Sequence, residues 1–321
     1  MKATKFLAGL ALGMSVALGA QAAYPDKTIT VVVPFPAGGS TDAIARAVGP
    51  KITARLGQAW IVDNRPGATG AIGASMVKRA PADGYTLMVA SIGVYAMNPW
   101  LNKALSYDPA RDFDLLTVAV RAPNVLVASA NVKANTIPEL IAYLKQNPGK
   151  VAFASSGNGS SDHLTAELFW QKTGTSGLHV PYKGGAPAIT DLLGGQTDVS
   201  FVNINAALPH IKAGKLKVLA VTGEQRAAIL PKVPTLAEAG VQGVDIYSWQ
   251  GFAAPKGLPK DVKAKLHDAI VAALNEPDIK ARLVEQGFEI VANTPEQFEQ
   301  FQRAESARWR NVIETGKITA D

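Results

Sequence analysis

The chain has 321 residues, a formal net charge of +6, 47% hydrophobic residues and no cysteine. That length and apolar content supply core for two domains of ordinary size, and the absence of cysteine excludes disulfides and lipid attachment through a thiol. The basic excess is mild, contains no Lys/Arg block and is not interleaved with aromatics, so no nucleic-acid partner is expected.

Residues 1–22 read as a secretory signal. Lys2 and Lys5 form the basic start, 6–18 the apolar middle, and Ala20-Gln21-Ala22 the small-residue cleavage site. The apolar run is shorter than the ~20 residues a membrane span requires, and no second candidate follows. Cleavage after Ala22 removes two of the 32 basic residues and none of the 26 acidic ones, taking the net charge from +6 to +4. A soluble, exported protein of the periplasm is expected.

The apolar run 29–33 predicts a strand, and Ile44, Val48 and Ile52 mark the inner face of a helix. Between them lies the stretch 34–42, PFPAGGSTD. A glycine-rich turn from strand to helix is a natural anion site, because the first helical N–H groups lack partners and the dipole is positive there. Gly38 and Gly39 permit close backbone approach, while Ser40, Thr41 and Asp42 can cap the helix or touch a ligand. It is not a Walker loop, since no lysine follows until Lys51.

A strand at 60–63, the loop NRPGATG at 64–70 and a small-residue helix at 71–79 come next. Gly67, Gly70 and Gly73 have GxxGxxG spacing, unlike the dinucleotide fingerprint, so no nicotinamide site is expected. PADGY at 81–85 is a turn before a strand at 86–90, and 91–99 forms a third loop at a strand's carboxyl end. Such loops on one edge of a parallel sheet make a rim where ligands bind.

Two extended runs, 116–120 and 124–129, precede a helix at 137–146. The βα pattern then restarts with a strand at 151–154, the loop SSGNGSS at 155–161 and a helix at 162–173. A strand at 179–181 passes through Tyr182-Lys183-Gly184-Gly185 into a helix at 186–193, and a strand at 199–202 ends at Asn203 and Asn205. With a further strand at 218–222, this is a second α/β unit with its own polar rim. The last quarter reads as mostly helical; its final helix opens on the cap Thr294-Pro295-Glu296-Gln297 and keeps Phe298, Phe301 and Trp309 for packing.

Two Gly/Ser loops at helix starts, one per unit, would grip an elongated ligand with two negative ends if the units close like jaws. Each charge-assisted hydrogen bond to a carboxylate contributes roughly 1.5–3 kcal/mol. Catalytic signals are weak. His163 follows Ser160 and Ser161 closely, but no GxSxG elbow is present. The four histidines lack HExxH spacing, so no metal is expected. Lys183 and Arg65 flank rim glycines, either as anion contacts or as solvated cations; Tyr95, Tyr182 and Trp249 are either cleft walls or packing.

The motifs PFPAGGSTD, NRPGATG, PADGYTL, SSGNGSSDHL, VPYKGG, LLGGQTDVSF, LPKVPTLAEAG and GFAAPKGLP stand in an order that resembles the Bug family, the periplasmic receptors of tripartite tricarboxylate transporters. The resemblance covers essentially the whole mature chain. It implies an α/β, two-lobe periplasmic binding protein of the type II kind, each lobe a sheet flanked by helices with the ligand cleft between. It also implies one domain from 23–121 plus 224–321 and a second from 122–223.

Carried over from the family, the ligand residues fall on Pro36, Ala37, Gly38, Gly39, Ser40, Thr41 and Asp42 in the first jaw. In the second they fall on Ser155, Gly157, Gly159, Ser160, Ser161 and His163, with Ser91, Gly184 and Asn203 as additions. Asp162 departs from the more neutral residue expected at its position and could alter the charge preference there. The function implied is a non-catalytic, monomeric receptor without a cofactor. It delivers a small carboxylate, a di- or tricarboxylate or an aromatic or amino-acid carboxylate, to membrane permease subunits. The alternative is an exported hydrolase or lyase on a similar scaffold.

Overall fold

The computed structural model describes residues 24–319, so the secretory-signal reading of 1–22 lies outside the described residues. Strands β1 (Ile29–Val33), β2 (Trp60–Asn64) and β3 (Thr86–Ser91) are parallel and lie in the order β2-β1-β3. Val31, Val32 and Val33 are fully buried, because helices cover a parallel sheet on both faces. Helices α1 (Ser40–Leu56) and α2 (Ala71–Lys78) follow β1 and β2. The stretch expected as a loop after β3 is instead a π-turn, Gly93–Met97, running into the short helix α3 (Asn98–Leu101).

The two runs expected at 116–120 and 124–129 are one strand, β4 (Phe113–Ala128). Its first half pairs antiparallel with β9 (Tyr247–Pro255), which in turn pairs antiparallel with β3. From Asn124 onward it pairs instead with β7 (Val199–Asn203) and β8 (Lys217–Val221). Parallel strands β5 (Ala152–Ser155) and β6 (Leu178–Pro181) extend that second sheet. Thus β4 belongs to both sheets, and the change of partner falls at Pro123, the residue that split the sequence signal.

The sequence reading announced neither strand β9 nor the helix at 204–212 nor the short strand at 289–290. Every residue of β9 except Tyr247 is buried, so neither the alternation of a half-exposed strand nor a helical period appears. Flanking helices in the second lobe are α4 (Ile137–Gln146), α5 (Ser161–Thr173), α6 (Gly185–Leu193) and α7 (Ile204–Lys212). The chain closes with α8 (Lys260–Asn275), α9 (Pro277–Glu285), a short strand β10 (Glu289–Ile290) and α10 (Pro295–Gly316).

Helix α10 starts with a capping box between Thr294 and Gln297 and lies across the backs of both lobes. It packs on the π-turn and α3 on one side and on α5 on the other, where Gln171 Nε2 donates to the Val312 carbonyl at 3.3 Å. Phe298 and Trp309 are fully buried there. Trp249 stacks on Tyr95 with centroids 5.6 Å apart and meets Phe298 edge-on, so Tyr95 and Trp249 are packing residues and not cleft walls. The result is an α/β fold of two lobes, each a sheet flanked by helices.

Candidate ligand-binding cleft

Between the lobes lies a cleft of about 1140 Å³. The amino ends of α1, α5, α6 and α7 all reach it, through Gly38 to Thr41, Ser160 to Asp162, Gly184 to Ala186, and Asn203 with Asn205. Helices α1, α6 and α7 have no side-chain cap, so their first N–H groups are left to other partners. Lys183, His210, Asp162 and Tyr182 are its ionisable lining side chains. Arg65 does not line it and pairs with Asp63 at 2.8 Å.

Asp42 organises the first jaw from behind. The residue is 3% exposed, and its carboxylate accepts from the Gly38 N–H at 2.9 Å, Arg46 Nε at 3.0 Å and Asn64 Nδ2 at 3.0 Å. Burial works against the charge, yet the Arg46, Gly38 and Asn64 bonds together hold the carboxyl below its ordinary pKa. The bond to Gly38 fixes a left-handed residue, φ 84°, in the turn.

Two histidines brace the second jaw. The His163 and His179 rings stack with centroids 3.8 Å apart. His163 Nδ1 accepts from the Gly159 N–H at 3.1 Å, and His179 Nε2 shares a 2.6 Å hydrogen bond with Ser155 Oγ. Burial, with repulsion from His163, pushes the His179 pKa down to about 3, so the ring is neutral near pH 7. The Ser160 hydroxyl caps α5 by accepting from the His163 N–H at 3.3 Å. Asp162 lines the cleft but accepts from the Ser156 N–H at 3.0 Å and Ser161 Oγ at 3.1 Å. Burial raises its pKa in spite of those bonds.

The jaws touch directly. Thr69 Oγ1 donates to the Asn158 carbonyl at 2.7 Å, and Ser40 Oγ donates to Asn205 Oδ1 at 2.9 Å. Asn203 Nδ2 donates to Asn124 Oδ1 at 2.7 Å, tying the α7 start to the crossing strand. Ser91, Ser248 and Gln250 from β3 and β9 form a neutral floor.

Of the residues singled out in the sequence, Pro36, Ala37, Gly38, Gly39, Ser40, Thr41, Ser91, Gly157, Ser160, Ser161, Gly184 and Asn203 line the cleft. Asp42, Ser155, Gly159 and His163 lie behind its wall, where they hold the loops in shape. The sequence reading did not single out Thr69, Ser248 or Gln250 as cleft residues. Thr69 sat in a loop already marked by glycines; the last two had no signal, because β9 had none.

Fold and cleft together define a two-lobe solute-binding receptor. The chain matches the tripartite tricarboxylate transporter family receptor over residues 44–318, and it belongs to that family. It is 38% identical to Protein BugT of Bordetella pertussis over 295 residues, covering 91% of this chain and 90% of the relative. An R. palustris protein solved with adipate superposes with a TM-score of 0.89 at 37% identity, covering 92% of this chain and 99% of that one. MatC from Rhodopseudomonas palustris, solved with bound malate, gives 0.86 at 31% identity over 90% and 100% of the two chains. Among the described residues no helix is long and apolar enough to cross a membrane, and no group of three or more His, Asp or Glu could hold a metal ion.

Proposed function

We propose that the chain is an extracytoplasmic receptor that takes a small carboxylate into the cleft and hands it, chemically unchanged, to the permease subunits of a tripartite tricarboxylate transporter. The observation that carries this reading is the convergence of four helix amino ends, from both lobes, on one cleft. Such ends stabilise anions through free N–H groups and the dipole, so the site needs no arginine. A few charge-assisted bonds at roughly 1.5–3 kcal/mol each, less association costs, reach micromolar affinity near −8 kcal/mol.

In this reading the carboxylates contact Gly38 to Thr41 in the first jaw and Gly157, Ser160, Ser161, Gly184 and Asn203 in the second, with Asp42, Ser155, Gly159 and His163 as supports. The protein acts as a periplasmic monomer, exported on residues 1–22, and needs no cofactor. The lobes are 23–121 with 224–321, and 122–223. The partner change of β4 after Pro123 supports that division. After 224 the chain first pairs with β8, the Val221 N–H donating to the Pro234 carbonyl and the Val221 carbonyl accepting from the Leu236 N–H, and it joins the first sheet only with β9.

A thermal-shift screen of di- and tricarboxylates, acidic amino acids and aromatic acids tests the proposal. At least one acid is expected to raise the melting temperature, to survive incubation intact and to shrink the radius of gyration in solution scattering. No stabilisation by any of them, or conversion of the bound acid to product, contradicts it.

A further inference from the structure

The floor of the cleft holds a polar group that the protein leaves unsatisfied. Gln250 lines the cleft on β9, directly across from Ser91 of β3, with Ser248 two residues before it. Gln250 is 1% exposed. Nε2 makes only a 3.4 Å bond to Ser248 Oγ, and Oε1 has no hydrogen-bond partner. The other buried unpaired side-chain atoms among the described residues belong to Trp60, Ser129, Trp170 and Thr197, none of which lines the cleft.

Exchanging the amide oxygen and nitrogen moves the defect without curing it. The carbonyl then accepts from the Ser248 hydroxyl, and the NH₂ group is left short of an acceptor. A hydroxyl is the simplest ligand group that answers either arrangement, because it donates and accepts. A third carboxylate answers only an exposed NH₂ and would bring its charge onto a floor whose other side chains, Ser91 and Ser248, are neutral. An ammonium answers only the carbonyl and brings a charge with no acid on the floor.

We propose that Gln250, with Ser91 and Ser248, is a hydroxyl-recognition subsite, and that the preferred ligand is a hydroxy-carboxylate whose hydroxyl sits on the floor while its carboxylates meet the helix starts. This deepens the carboxylate reading above and rests on it. A site built to pair a ligand hydroxyl discriminates against the analogue lacking it, because the buried partner is then left unpaired.

Isothermal titration of the mature chain with pairs of acids differing by one hydroxyl tests the proposal: succinate and malate, glutarate and 2-hydroxyglutarate, tricarballylate and citrate. In the best-fitting pair the hydroxy acid is expected to bind on the order of tenfold tighter or more. Gln250→Met should reduce the affinity of the hydroxy acid by about that factor more than that of its plain partner. Ser248→Ala should narrow the ratio by a smaller factor and serves if Gln250→Met fails to fold. Equal affinities within every bound pair, or a ratio unchanged by both variants, overturns the subsite while leaving the carboxylate reading intact. Failure of all six acids to bind overturns the di- and tricarboxylate form of that reading, and the subsite with it.

Discussion

The Thr69 hydroxyl, on the first lobe, donates to the carbonyl of Asn158, on the second, at 2.7 Å. Thr69 reaches it from a left-handed conformation, φ 48° and ψ 42°, in the 3-10 turn before α2. A β-branched residue held there costs on the order of 1–3 kcal/mol and persists only where its surroundings impose it. The strain thus lies where one jaw meets the other, at a hydrogen bond that joins the two lobes.

Thr69→Val keeps the shape and removes the donor. A hydrogen bond of this kind contributes about 0.5–1.5 kcal/mol, so ligand affinity should fall roughly threefold to tenfold. Solution scattering of the ligand-free variant should show a larger radius of gyration than the parent. Parental affinity would mean that this contact does not favour closure.

Gly38 and Gly39 should respond differently to the same added methyl. A Cβ on Gly38 meets nothing within 4 Å, but φ is 84°, so Gly38→Ala should cost about 1–2 kcal/mol through the backbone alone. Gly39 has φ −79°, and its Cβ would sit 3.6 Å from the Pro36 carbonyl, so Gly39→Ala should cost less. Chemical denaturation of both variants gives the comparison; equal losses would contradict the assignment of the cost to φ.

Asp42→Asn should weaken binding without any contact to the ligand. The amide retains one acceptor in place of a carboxylate that serves Gly38, Arg46 and Asn64. A loss of about 1–3 kcal/mol in stability is expected, together with weaker ligand stabilisation as the 34–42 turn loosens. Titration and melting measured on one preparation separate the two effects.

His179 makes the second jaw sensitive to acid. Its folded pKa of about 3 lies below the ordinary 6.5, so between those values the unfolded chain binds the extra proton. The contribution of the neutral ring is fully present above about pH 6.5 and is lost progressively as the pH falls toward 3. His179→Phe keeps a flat ring against His163 but cannot titrate. Its melting temperature should fall less steeply than the parent's between pH 6.5 and pH 4, a window above the folded pKa of Asp42, which is held below 3.8. Parallel curves would assign the acid sensitivity elsewhere.

Most of the framework was legible in local pattern. The turn PFPAGGSTD announced itself because a strand, two glycines and a helix start are adjacent in sequence, and the SSGNGSS loop did so for the same reason. Both reach the cleft. The strand β9 was not legible, since burial along nearly its whole length erases the periodicity that marks a strand. Asp42 read as a rim residue from its place in the turn, and Ser155, Gly159 and His163 through the family resemblance; neither reveals which way a side chain turns.

By itself, the sequence determined the βα units and their glycine-rich turns, because propensity and spacing are properties of adjacent residues, and the order of its motifs carried the resemblance to the family. Only the tertiary structure decided that β4 is one strand shared by two sheets, and that Thr69 meets Asn158 across 89 positions of chain. The floor formed by Ser91, Ser248 and Gln250 was likewise decided there, since β3 and β9 pair antiparallel across a long sequence gap. Contacts of that kind depend on how separately formed elements pack, and no local signal encodes them.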